Sequence, residues 1–145
     1  MKFIKKILPN KVRVILAPMA EAKSVNFLVL AAAGSKYENK KINGVSHFIE
    51  HLFFKGTKKR PATSEIAGIL DGLGAKYNAF TSKEVTGYWV KSASKNFPLI
   101  LDIVSDMIIN PLFNPEEMEK ERRVILEEIK MYNDMPQIKI ADIWE

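Results

Sequence analysis

The chain has 145 residues, 47% apolar and 27% charged, enough for one domain with its own core and too apolar for a disordered segment. No run approaches the roughly 18 consecutive apolar residues of a membrane span. With no cysteine there is no disulfide framework and no thiolate ligand, which fits a cytoplasmic location.

The first third reads as strands. Its basic start lacks the long apolar run of a signal peptide, because Pro9 follows soon after Lys6, so the segment reads as mature structure. Residues 3–8 and 12–17 flank Pro9-Asn10, a hairpin turn. Residues 25–33 form a nearly continuous apolar run, suited to a strand covered on both faces or placed centrally. Residues 34–41 are polar and turn-like. Beyond Gly44 the spacing of Val45, Phe48, Ile49, Leu52 and Phe53 is helical, and Gly56 stops that helix with Lys55 in its last turn.

After Pro61, Thr63 or Ser64 caps a short helix carrying Ile66, Ala67, Ile69 and Leu70, which Asp71-Gly72-Leu73-Gly74 ends. Strands follow over 76–81 and 85–93; in the second, Thr86, Tyr88, Val90 and Ser92 alternate with Val85, Gly87, Trp89 and Lys91. A third helix over 97–109 stops before Pro111. The fourth has the clearest start: Asn114 as N-cap, Pro115 in the first turn, and Glu116 and Glu117 at the positive end of the dipole. It extends to about Tyr132, with Pro136 beyond, and residues 137–145 open another helix. The fold class is α+β, a mostly antiparallel sheet with helices packed on it, in one domain over 1–145.

A net charge of +5 raises nucleic acid as a partner. The lysines are scattered, however, and the densest cluster, Lys55, Lys58, Lys59 and Arg60, reads as a solvated loop. No basic stripe interleaved with aromatics is present, so neither nucleic acid nor a membrane span is expected.

The chemistry concentrates in His47-Phe48-Ile49-Glu50-His51. On a helix, positions i and i+4 share a face one turn apart, so both imidazoles reach one ion. Glu50 lies on that side without having to bind metal. The order H-x-x-E-H reverses the commoner H-E-x-x-H and supplies two nitrogen ligands and a carboxylate base. Catalytic zinc takes three protein ligands and keeps one position open, so a third ligand must come from elsewhere. The fourth helix offers Glu116, Glu117, Glu119, Glu121, Glu127 and Glu128. Geometry alone does not choose between Glu127 and Glu128. Glu128 projects beside Val124 and Ile125, toward the side expected to be buried with Ile129, and Glu127 lies about 100° away. Two histidines one turn apart often mean only a helix, yet these are the chain's only two histidines and both fall in the motif.

The flanks carry a resemblance. Gly44-Val45-Ser46-His47-Phe48-Ile49-Glu50-His51-Leu52-Phe53-Phe54-Lys55-Gly56-Thr57 resembles the M16 family of zinc metallopeptidases (pitrilysin and mitochondrial processing peptidase-like) almost position by position. So do Glu121-Arg122-Arg123-Val124-Ile125-Leu126-Glu127-Glu128-Ile129 and the block Asn78-Ala79-Phe80-Thr81 with Thr86-Gly87-Tyr88. The resemblance implies one zinc ion on His47, His51 and Glu128, with Glu127 a bystander. It implies Glu50 as general base and Glu121 as support that orients the site. Asn78 and Ala79 match the strand on which substrate backbone is bound, whereas Phe53 and Phe54 read as core. It also implies a first half of a two-half enzyme, incomplete here, cutting flexible peptides together with a C-terminal half or second subunit. The alternative is a non-catalytic partner or scaffold subunit, a type that in this family has lost the zinc motif; the intact motif favours the peptidase.

Overall fold

The computed structural model describes residues 2–137 and 140, so most of the helix expected over 137–145 lies outside the described residues. The chain begins with a hairpin, β1 (Ile4–Ile7) against β2 (Arg13–Leu16), paired antiparallel from Ile4 opposite Leu16 to Ile7 opposite Arg13. Pro9 and Asn10 make the turn, and the Asn10 side chain accepts from the Val12 amide at 3.2 Å. Three further strands form a second antiparallel sheet in the order β3 (Ser24–Ala31), β5 (Thr86–Ala93), β4 (Lys76–Thr81). Packed with these strands are the helices α1 (Val45–Leu52), α2 (Thr63–Gly72), α3 (Phe97–Ile109) and α4 (Pro115–Asn133). The class is α+β with antiparallel sheets.

The period of two in the strands decides which face is covered. Val25, Phe27 and Val29 of β3, Tyr77 and Ala79 of β4, and Tyr88 and Val90 of β5 turn to one side. There they meet Ile66 and Leu70 of α2 and Ile100, Ile103, Val104 and Met107 of α3, all buried. At the end of that face nearest α1, Thr81 and Thr86 stand opposite each other in register.

The apolar run of 25–33 departs from the sequence expectation. It forms an edge strand, and Leu28 and Leu30 on its outer face are exposed. The central position goes to β5, whose polar inner residues, Thr86 and Ser92, are buried. Apolar content reports how much surface prefers burial, whereas strand order depends on which loops are short enough to pair. The tight connection of β4 to β5 fixes that pair first.

The basic loop also differs from a solvated surface. Arg60 reaches Asp106 at 3.0 Å and pairs with Asp102, and Lys59 reaches Asp102 at 2.6 Å. Thr57, fully buried, donates to Asp106 at 2.5 Å, and Asn110 donates to its other oxygen at 3.0 Å. Burial pushes the Asp106 carboxyl up, but the hydrogen bonds from Thr57 and Asn110 and the Arg60 charge outweigh it and hold it below the usual range. The cluster is thus a clamp that ties residues 56–60 to α3.

Candidate metal centre

The site begins with how α1 starts. Gly44, its N-cap, has φ 86°, left-handed backbone that favours glycine. Glu38 completes the cap from outside the helix: its carboxylate accepts from the Gly44 amide at 2.6 Å and the Ser46 amide at 2.8 Å. Two otherwise unpaired amides are satisfied at the positive end of the dipole. Burial raises the Glu38 pKa, yet the hydrogen bonds from Ser46 and Gly44 bring it below the ordinary value. The loop bearing Glu38 is held by Gly34, where a Cβ would lie 2.2 Å from the Ser82 carbonyl oxygen. α1 ends at Leu52, before Gly56, so Lys55 lies beyond the helix rather than in its last turn.

With α1 so anchored, His47 and His51 stack one turn apart, their Nε2 atoms 3.3 Å from each other. Glu128 comes across from α4, its Oε2 lying 3.8 Å from His47 Nε2 and 3.6 Å from His51 Nε2. All three residues are half-buried, and the donor atoms sit within 4.8 Å of one another. Zinc bonds of about 2.0–2.1 Å at tetrahedral angles set donors about 3.3–3.4 Å apart. Two imidazoles and a carboxylate at these separations fit such an ion. The chain's own geometry separates the two adjacent glutamates: Glu127 points to solvent and pairs with Lys130 at 2.7 Å.

Glu121 stands behind His51. It is 6% exposed, and its Oε2 takes a hydrogen bond from His51 Nδ1 at 3.1 Å. Donation from Nδ1 leaves the Nε2 lone pair for a metal, the carboxylate–histidine arrangement that fixes a ligand's tautomer. The other oxygen, Oε1, is 2.6 Å from Lys55 Nζ. Lys55 therefore neutralises a buried carboxylate, a role its position in the sequence did not announce. The Tyr132 phenol hydrogen-bonds the Glu128 carboxylate, which raises the phenol's pKa.

Glu50 faces the opposite wall of the site. Its Oε2 accepts from Thr81 at 2.5 Å. Burial pushes the Tyr88 phenol up, and the nearby Glu50 charge adds to it. Together Glu50, His51, Phe54, Lys55, Asn78, Ala79 and Glu121 line an open cleft of about 220 Å³. Asn78 and Ala79 belong to β4, the other edge of the sheet, and the Asn78 side chain accepts from the Ala79 amide at 2.9 Å. Phe54 lines this cleft while also packing on the core.

Two expectations for the helices change. Neither Thr63 nor Ser64 caps α2; Ala62 holds the N-cap position, and the Thr63 hydroxyl turns to the Lys55 carbonyl at 3.4 Å. On α4 the inward stripe is Glu121, Ile125 and Glu128, while Val124 and Ile129 are about half exposed. α4 packs against α1, and the carboxylates Glu121 and Glu128 share its inner face with Ile125.

The family model described as "Insulinase (Peptidase family M16)" matches residues 13–143. The chain belongs to peptidase family M16. Among its M16 relatives, an uncharacterized zinc protease of Bacillus subtilis is 42% identical over 134 residues, which are 92% of this chain and 32% of that protein. The mitochondrial-processing peptidase subunit beta of Homo sapiens is 46% identical over 98 residues, 68% of this chain and 20% of that protein. A protease from Helicobacter pylori has a crystal structure similar to this fold, with a TM-score of 0.90 at 27% identity; the match covers 95% of this chain and 33% of that one. The chain thus spans about a third, or less, of the relatives it matches. No helix among the described residues is long and apolar enough to cross a membrane.

Proposed function

We propose that this chain is the zinc-binding domain of an M16 endopeptidase that cleaves flexible peptides, with one ion held by His47, His51 and Glu128. The observation that carries the reading is the convergence of three donor atoms within 4.8 Å, with Glu50 lining the same cleft as His51. Bound there, zinc would lower the pKa of a water toward neutrality and polarise the peptide carbonyl.

Glu50 then takes the water's proton as the oxygen attacks the carbonyl carbon, and passes it to the leaving amide nitrogen. Glu121 and Lys55 hold His51 in the tautomer that binds. An extended substrate adds to the free edge of β4 at Asn78 and Ala79, its main chain paired with that strand. This mode needs a segment with unpaired backbone, hence flexible peptides. A second half or second subunit completes the cleft, since the chain spans about a third of its bacterial relative. A cysteine-free sequence agrees with the cytoplasm.

Metal analysis and kinetics test this together. After dialysis the wild-type chain is expected to retain near-stoichiometric zinc, Glu128→Gln to lose it, and Glu127→Gln to keep it. In the intact protein, Glu50→Gln is expected to lower kcat by about 10²- to 10⁴-fold with zinc still bound. Zinc-free, inactive wild type would refute the assignment and favour a non-catalytic partner subunit, and full activity in Glu50→Gln would refute Glu50 as the base.

A further inference from the structure

Glu50 is held by the sheet as well as by its own helix. Thr81 ends β4 on the helix-covered face, and its Oγ1 donates to Glu50 Oε2 at 2.5 Å. An ionised carboxylate only accepts, so the Thr81 proton lies toward Glu50. Across the strand pair, Thr81 Oγ1 is 3.4 Å from Thr86 Oγ1. Thr86 is 4% exposed and donates to the Ala33 carbonyl at 3.0 Å. A carbonyl also only accepts, so the Thr86 proton is committed there and Thr81 keeps its own for Glu50. Both threonines are β-branched, with few side-chain rotamers, and both sit in a paired register. The direction of the Thr81 hydroxyl is therefore set by the backbone of β4 and β5.

From this geometry we infer that Thr81 is a positioning residue for Glu50, fixing the rotation of its carboxylate across the cleft. The inference rests on Glu50 being the base. With Oε2 engaged by Thr81, Oε1 is the oxygen this inference assigns to the water. The proton abstracted from the water arrives on Oε1, and Oε2 still accepts from Thr81 afterwards. The carboxyl group thus stays aligned while the same proton moves on to the leaving nitrogen. A glutamate on a short helix otherwise has several rotamers, and only some present an oxygen to the site. Thr81 removes that freedom from the strand side, and the buried Thr86–Ala33 bond backs it.

Three variants of the intact protein test this beside Glu50→Gln. Thr81→Val keeps shape and removes the donor; Thr81→Ser restores a donor; Thr81→Cys substitutes a weak one should the valine variant fail to fold. Thr81→Val or Thr81→Cys is expected to lower kcat about 10- to 100-fold, the scale on which a misplaced reacting group slows chemistry, with KM and zinc content unchanged. Thr81→Ser is expected to recover most of the loss. A crystal structure of Thr81→Val is expected to show the Glu50 carboxylate rotated from its wild-type position, and that of Thr81→Ser to show it in place. Wild-type kcat in Thr81→Val, a serine variant as slow as the valine one, or an unmoved Glu50 would each overturn the inference. If Glu50→Gln is inactive while Thr81→Val is not, this inference alone fails. Should Glu50→Gln stay fully active, the base assignment fails and takes it down as well.

Discussion

Asp106 shows what a single residue carries here. It is 3% exposed and gathers Thr57, Arg60 and Asn110, joining a loop to α3. Removing the buried carboxylate strands the Thr57 hydroxyl while Arg60 keeps Asp102, so Asp106→Ala is expected to cost about 1–3 kcal/mol in urea unfolding. The pH dependence has a definite sign. The folded pKa of Asp106 is lowered, so its stabilisation is fully present above the ordinary value of 3.8 and disappears as pH falls through the lower folded value. An acid titration of unfolding free energy is expected to show this loss in the wild type and not in Asp106→Asn. From the sequence, Arg60 and Lys59 are simply basic residues near a proline. Their partners lie far along the chain, and no local pattern links them. The two histidines and Glu50 differ, because their spacing alone sets them on one helical face.

Among the elements, α1 depends most on residues outside itself. It has eight residues, short of the length at which a helix holds itself in water. Its start needs left-handed backbone at Gly44, where a Cβ would meet nothing within 4 Å, so only the backbone conformation is at stake. Gly44→Ala is expected to destabilise the chain by about 1–2 kcal/mol in thermal unfolding, and Gly44→Asn by less, since asparagine tolerates that region. Equal losses would mean that the glycine serves packing instead. Helices α1 to α4 and strands β1 to β5 were legible as elements, because periodicity, Pro115, Asn114 and the glycines act locally. The cap on α1 was not legible, since Glu38 approaches from a loop through space. On α4 the sequence places Ile125 and Glu128 on the inner side, as found, and Val124 and Ile129 with them, which the structure leaves about half exposed for a related reason. Val124 and Ile129 prefer burial, yet the neighbour that α4 meets is the polar side of α1, where Glu121 and Glu128 are wanted.

For the whole molecule, metal and fold are linked. The donors come from α1 and α4, which are distant in sequence, so an ion held as proposed by His47, His51 and Glu128 would bind the folded arrangement in preference to the unfolded chain. Zinc at a thousandfold excess over its dissociation constant is expected to add about 4 kcal/mol, a rise in Tm of about 10 °C for a domain of this size. A chelator reverses it, Glu127→Gln keeps it, and Glu128→Gln abolishes it. A rise that survives in Glu128→Gln would place the metal elsewhere. The sequence by itself determined the element types, the α+β class and the pairing of two histidines with a carboxylate on one helix. Each of these follows from short-range periodicity. The tertiary structure decided which strand is central, how the basic loop is neutralised, where Glu128 stands relative to Glu127, and that Thr81 reaches Glu50. These are contacts between segments far apart in the chain, and no local spacing records them.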